Sequence, residues 1–168
     1  YHAALTGADW FRRITKGALD VQAVQAFEFI HYARGGPRTH DAFLALSHSG
    51  VASATVEAAR RAKDEDGMYT VAFTAAPQSA VAQNSDETLI TTTAPALAAT
   101  YTISHLTMLT VLADLARRTA EHLRASREVA LDLADDIAAF PDLAAAALGA
   151  EDQIRQIVAA LPAIDQVI

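Results

Sequence analysis

The stretch FLALSHSGVASATVEAARRAK, residues 43–63, contains the transition that decides the fold. A short continuous apolar run over residues 42–47 is typical of a strand buried on both faces of a sheet. It stops at Ser-His-Ser-Gly, residues 47–50, which we call the SHSG loop. Residues 51–66 then place apolar side chains on one side and charged ones on the other, which predicts an amphipathic helix.

The same alternation continues on both sides of this stretch. The predicted strands cover residues 20–29, 42–47, 68–75 and 87–93, and the predicted helices cover residues 1–18, 51–66, 79–85, 99–125 and the chain from 126 onward, with breaks at Pro141, Gly149 and Pro162. Strands that alternate with helices indicate parallel βαβ units. The sequence therefore predicts an α/β fold in which helices cover both faces of a parallel sheet.

Composition and charge exclude several classes of protein. The chain has 168 residues, of which 52% are hydrophobic and 20% charged, so it can form a packed core. Its net charge of −7 argues against nucleic acid as a partner, because phosphate backbones need a basic face. No apolar run approaches the about 20 residues of a membrane span. Charged residues interrupt the N-terminus too early for a signal peptide.

The residue types that bind metals or form covalent links are also informative. The chain has no cysteine, which excludes disulfides and thiolate chemistry and fits a reducing compartment, so a cytoplasmic location is expected. The 6 histidines show no i, i+4 pairing and no cluster with acids, so no metal site is predicted. We predict no cofactor.

The SHSG loop carries the predicted chemistry. In an open parallel sheet, ligands bind beyond the carboxyl ends of the strands, and a helix N-terminus offers N–H groups to an anion. Ser47 and Ser49 add hydroxyl donors, and Gly50 allows close approach of the backbone. His48 can donate from a ring nitrogen and make binding depend on pH. Two alternatives remain open: a serine that only caps the helix, and a His48 that only faces solvent.

A family resemblance supports phosphate binding. The stretch ALSHSGVASATVEAARRAKDEDGMYTVAFT, with QSAVAQNSDETLITT after it, resembles the sugar isomerase (SIS) domain family, whose pattern is Ser-x-Ser-Gly-Glu-Thr, a helix, a Gly, a strand and a Ser-x-Leu-Ala helix start. The segments YHAALTGADWF and ATYTISHLTMLTVLADLA are similar to helices in the first SIS domain of the isomerase portion of glucosamine-6-phosphate synthases. The resemblance covers nearly the whole chain in the same order.

The resemblance implies a fold, a ligand and a set of residues. The fold would be a three-layer αβα sandwich with a flavodoxin-like parallel sheet. The ligand would be a phosphorylated sugar such as fructose 6-phosphate or glucosamine 6-phosphate. The implied substrate-binding residues are Ser47, His48, Ser49, Gly50, Thr55 and Thr100. The implied activity is that of a phosphosugar isomerase or an amino-sugar-phosphate deaminase or deglycase. The alternatives are a non-catalytic sensor of sugar phosphates and a degenerate SIS half kept for dimer packing.

The resemblance also predicts how the chain relates to a larger protein. Residues 1–125 would form the first SIS domain, and residues 126–168 a helical extension and connector toward a second one. The opening strand of the family fold, which precedes the YHAAL segment, would lie outside these residues. We expect a homodimer, and we expect this segment alone to be inactive. The family's Glu-Thr is Val51-Ala52 here, and its Lys aligns with Tyr101, so the sugar-facing wall is altered.

Overall fold

The computed structural model describes residues 1–32, 36–92, 102–123 and 127–160. Its helices are α1 (His2–Ile14), α2 (Ala26–Tyr32), α3 (Ser53–Asp64), α4 (Ala80–Gln83), α5 (Thr102–His122), α6 (Arg127–Leu148) and α7 (Glu151–Ala160), and its strands are β1 (Ala42–Leu46), β2 (Tyr69–Thr74) and β3 (Glu87–Ile90). Strands alternate with helices from β1 to α5, as the sequence predicts.

The three strands form one parallel sheet in the order β1-β2-β3. Leu46 at the end of β1 lies opposite Phe73, and Thr74 at the end of β2 lies opposite Ile90. The carboxyl ends of all three strands therefore meet at one edge. Both pairings are parallel, so the predicted α/β class with a parallel sheet is confirmed.

Helices cover both faces of this sheet. Because strand side chains alternate between faces, Leu44, Leu46, Val71, Phe73 and Leu89 pack against α1 and α5 around the buried Met108 and Leu112. The opposite face presents Ala45 and Ala72 to Ala59 of α3 and to Val81 of α4. These small residues let α3 approach the sheet closely. Two helical layers around one sheet confirm the predicted three-layer sandwich.

The prediction of a strand over residues 20–29 is wrong. Residues 26–32 form α2, and residues 20–25 have no regular structure. Phe29 is buried on α2 against Ala58, Ala62 and Met68, so its apolar character serves helix packing. Among the described residues, β1 pairs only with β2, so the segment 20–25 adds no strand to the sheet.

The C-terminal part of the described chain is helical, as predicted, but Pro141 does not interrupt it. Pro141 lies inside α6, which packs against α5. The side chains of α7 are all exposed, including Ile154, Ile157 and Val158. The connector at residues 161–168 lies outside the described residues. Where the chain is described, we find no helix with the length and apolar character that crossing a membrane requires.

Candidate functional site

The SHSG loop joins β1 to α3 at the carboxyl edge of the sheet. Ser47 continues the parallel pairing, since its N–H donates to Phe73 O at 2.9 Å. Its hydroxyl accepts a hydrogen bond from Gly50 N at 3.2 Å, which closes the loop on itself. Ser47 is buried and Ser49 is exposed. Of the two serines, Ser49 is therefore the one whose hydroxyl faces outward from the loop.

The backbone of the loop is held by β2 and α4. The carbonyl of His48 accepts hydrogen bonds from the Thr74 hydroxyl and from Ala75 N, both at 2.9 Å. The carbonyl of Gly50 accepts one from Val81 N at 2.9 Å. In a trans peptide unit the C=O and the N–H point in opposite directions. When a carbonyl bonds inward, the N–H of the next residue therefore points toward the outer side of the loop. The loop is therefore fixed before any ligand arrives, which lowers the entropy cost of binding.

Gly50 is required at its position for two independent reasons. Its φ of +67° lies in the left-handed region, which other residues rarely adopt. A Cβ at this position would also lie 2.0 Å from the Ser79 hydroxyl oxygen and 3.0 Å from the Thr74 hydroxyl oxygen. The loop is thus packed directly onto Thr74 at the end of β2 and onto Ser79 just before α4.

Helix α3 begins just after the loop and is not capped by a serine. The residue at its N-cap is Ala52, which makes no side-chain hydrogen bond. The alternative that Ser47 or Ser49 only caps the helix is therefore wrong. The first N–H groups of a helix have no partner inside it, and the helix dipole favours an anion there. Thr55 lies in this first turn and is half-buried.

His48 does not simply face solvent. Its ring is partly buried, and Nε2 lies 3.2 Å from the hydroxyl oxygen of Ser104, a buried residue near the start of α5. The imidazole therefore links the SHSG loop to α5. No sequence signal pointed to Ser104, because the contact joins two segments that are far apart in the chain.

The predicted site residues can now be placed. Ser47, His48, Ser49 and Gly50 form the loop itself, and Thr55 follows in the first turn of α3. Thr100 and Tyr101 lie outside the described residues. Sequence reasoning missed Ser79, which comes just before α4 and lies against Gly50. Within the described part of the chain, no group of three or more His, Asp or Glu residues could hold a metal ion.

An ion pair joins α3 to the sheet through Lys63 and Asp86. Asp86 accepts hydrogen bonds from the backbone N–H of Thr70 at 2.9 Å and from its hydroxyl at 2.8 Å, and it pairs with Lys63 at 3.0 Å. The Thr70 backbone N–H, followed by Lys63, holds the pKa of this carboxyl below its ordinary value. This cluster ties α3 to the strands beneath it and has a structural role.

Comparison with known proteins identifies related chains. The sequence model of the SIS domain matches residues 1–117. The chain is 29% identical over 162 residues to a glutamine–fructose-6-phosphate aminotransferase (isomerizing) of Thermococcus kodakarensis, covering 96% of this chain and 26% of that protein. It is 34% identical over 90 residues to the enzyme of the same name from Helicobacter pylori, covering 54% of this chain and 14% of that protein. The chain thus spans about a quarter or less of the length of these relatives.

Solved structures share the fold. The C-terminal domain of glucosamine-fructose-6-phosphate aminotransferase from Francisella tularensis superposes with a TM-score of 0.82 at 22% identity, covering 94% of this chain and 44% of that one. A putative phosphosugar isomerase from Silicibacter pomeroyi superposes with a TM-score of 0.65 at 23% identity, covering 84% and 40% of the respective chains. At these identities the likeness establishes the architecture alone.

Proposed function

Because the chain belongs to the SIS domain family, we propose that it binds a phosphorylated sugar through the SHSG loop and the N-terminus of α3. The loop's fixed backbone carries this proposal. The carbonyls of His48 and Gly50 bond inward, while Ser49 and the uncapped first turn of α3 lie on the outer side. Such an arrangement concentrates hydrogen-bond donors and the positive end of a helix dipole, which together suit a phosphate.

The names of the related proteins support a sugar phosphate over other anions. Relatives are described as glutamine–fructose-6-phosphate aminotransferases, and a structural neighbour as a putative phosphosugar isomerase. We propose fructose 6-phosphate or glucosamine 6-phosphate as the ligand. Anchoring the phosphate would hold the reacting carbons of an open-chain sugar in one position. The intact protein would then be a phosphosugar isomerase or an amino-sugar-phosphate deaminase or deglycase, with acid and base supplied from outside these residues.

A sensor of sugar phosphates is the second candidate function. It is favoured by Val51 and Ala52, which stand where the family pattern has Glu and Thr and which supply neither a carboxylate nor a hydroxyl. Val51 is 67% exposed, so an apolar side chain faces the open side of the loop. Interconversion of fructose 6-phosphate and glucose 6-phosphate by the intact protein would favour the enzyme. Binding of the same sugars without turnover would favour the sensor.

The proposed partners are a second SIS domain and a second copy of the chain. Exposed apolar residues on α6 and α7, among them Leu143, Leu148 and Ile154, are compatible with a further packed surface. The division into a domain over residues 1–125 and an extension over residues 126–168, and the cytoplasmic location, remain predictions from the sequence. The molar mass of the intact protein, measured by light scattering, tests the dimer.

Thermal unfolding of the intact protein tests phosphate binding. We expect fructose 6-phosphate or glucosamine 6-phosphate to raise the melting temperature, while fructose and glucosamine leave it unchanged. A ligand at about 100 times its Kd stabilises the folded state by about 2.7 kcal/mol, which is readily measured. Ser49→Ala should lose most of this shift, because it removes an outward-facing hydroxyl donor.

The control variant is Thr110→Ala, which removes an exposed hydroxyl that bonds to Leu106 O within α5. It should keep the full ligand-induced shift. No shift with either phosphosugar, or equal shifts with the unphosphorylated sugars, would contradict the proposed site.

A further inference from the structure

The hydroxyl group of Ser79 is buried beside the SHSG loop, and no described residue hydrogen-bonds to it. Ser79 is 8% exposed, and its Oγ forms no hydrogen bond with the described part of the chain. The same oxygen lies only 2.0 Å from the point where a Cβ on Gly50 would stand. It therefore touches the loop directly, from the side of α4.

This hydroxyl has no role in holding α4 together. Ser79 stands at the N-cap of α4 but makes no side-chain cap bond. Its backbone groups are already engaged, since N donates to Ala76 O at 3.1 Å and O accepts from Gln83 N at 3.0 Å. The neighbouring hydroxyl of Thr74 is occupied as well, because it donates to His48 O and accepts from Ala76 N.

Ser85, just after α4, provides a comparison, because its buried hydroxyl group is hydrogen-bonded within the chain. It is equally buried, at 8% exposed, and its hydroxyl donates to Val81 O at 2.9 Å. A buried hydroxyl without a partner destabilises a folded protein, whereas a bonded one does not. The difference between Ser79 and Ser85 therefore indicates that the Ser79 hydroxyl has a partner outside the described part of the chain, and a ligand held by the SHSG loop is the candidate that we argue here.

We propose that Ser79 is a further phosphate-binding residue of the SHSG loop. Its hydroxyl moves between staggered χ1 positions and donates its proton to a phosphate oxygen held by the loop. It thereby supplies the hydroxyl that Ala52 lacks, from a second element of the fold. This inference rests on the proposed function. It adds Ser79, the N-cap residue of α4, to the residues that recognise the phosphate.

The test compares Ser79→Ala with Ser85→Ala in the intact protein, using calorimetric titration with fructose 6-phosphate and with inorganic phosphate. A hydrogen bond to a charged group contributes enough for Ser79→Ala to raise both Kd values about 10-fold or more. The melting temperature of Ser79→Ala without ligand should be equal to or above that of the wild type. Ser85→Ala should show the reverse, with a lower melting temperature and unchanged Kd values.

Two outcomes would overturn this inference alone. In the first, the wild-type protein binds the ligands and Ser79→Ala binds them with the same Kd values. In the second, the melting temperature of Ser79→Ala falls as much as that of Ser85→Ala. The second outcome would mean that the Ser79 hydroxyl is structural. If the wild-type protein binds neither phosphosugar nor inorganic phosphate, the proposed function fails, and this inference fails with it.

Discussion

Replacing Gly50 with alanine tests the packing of the loop quantitatively. The φ of +67° imposes a left-handed conformation on the new residue, which costs about 1–2 kcal/mol. The new Cβ would lie 2.0 Å from the Ser79 oxygen and 2.4 Å from its Cβ, so the β2–α4 segment must shift. Overpacking of this kind costs about 1–3 kcal/mol. We therefore expect Gly50→Ala to lower the free energy of unfolding by about 2–5 kcal/mol, the sum of these two ranges.

Gly17 provides a matched control for the backbone part of this loss. Its φ is +77°, close to that of Gly50, but a Cβ there would meet no atom within 4 Å. Gly17→Ala should therefore lose only the about 1–2 kcal/mol of left-handed strain. The difference between the two variants in lost free energy of unfolding measures the cost of the steric collision at position 50.

Urea denaturation of a double-mutant cycle separates the two terms further. Ser79→Gly removes both atoms that the new Cβ would meet most closely. Glycine at an N-cap is only a few tenths of a kcal/mol less stable than serine, so Ser79→Gly alone should lower the free energy of unfolding by about that much. The double variant Gly50→Ala/Ser79→Gly should regain the stability that the collision costs, but not the stability that the left-handed strain costs. The two substitutions should therefore show a favourable coupling energy. Equal losses for Gly50→Ala and Gly17→Ala, with no coupling to position 79, would refute this account of the loop.

Two further predictions concern the ends of α3. Ala52→Asp should raise the free energy of unfolding by about 1 kcal/mol, because it adds an N-cap and a favourable charge at the helix dipole. It should also weaken binding of fructose 6-phosphate, since its carboxylate repels a phosphate; unchanged affinity by titration calorimetry would contradict a site at this terminus. The second prediction concerns pH: the carboxylate of Asp86 stabilises the fold above its ordinary pKa of 3.8, and this contribution disappears as pH falls through the lowered pKa of the folded state. The stability difference between wild type and Asp86→Asn in urea should therefore shrink below pH 3.8, and a constant difference would count against the contacts of Asp86 with the Thr70 N–H and with Lys63.

The elements from β1 to β3 could be predicted from the sequence because each carries its own pattern. The apolar runs before Ser47 and Ala75 are short and flanked by a loop or a glycine, and the helix between them is amphipathic. The segment 20–29 could not be assigned this way, since its apolar residues fit either a strand or a helix. A strand also depends on a partner strand, which local pattern does not report.

The position of the SHSG loop was predictable, but the contacts that hold it were not. A serine and a glycine after a buried strand fit an anion site, but they also fit a serine that caps the next helix, and the family resemblance supported the anion site. Ser79 follows Pro77 at the start of a short helix, which is also the pattern of an ordinary cap. Its contact with Gly50, and that of His48 with Ser104, join segments far apart in the chain. Only the folded arrangement shows them.

The partners of the loop's carbonyl groups determine when the loop can form during folding. His48 O and Gly50 O bond to Ala75 and Val81, which lie beyond α3 and β2 in the chain. A segment of the chain that includes α3 and β2 must close before these bonds form, so we expect the loop to form late in folding. Contacts that form after the transition state affect the unfolding rate rather than the folding rate. If the loop binds a phosphosugar as we propose, the ligand should therefore lengthen the lifetime of the folded chain without making it fold faster.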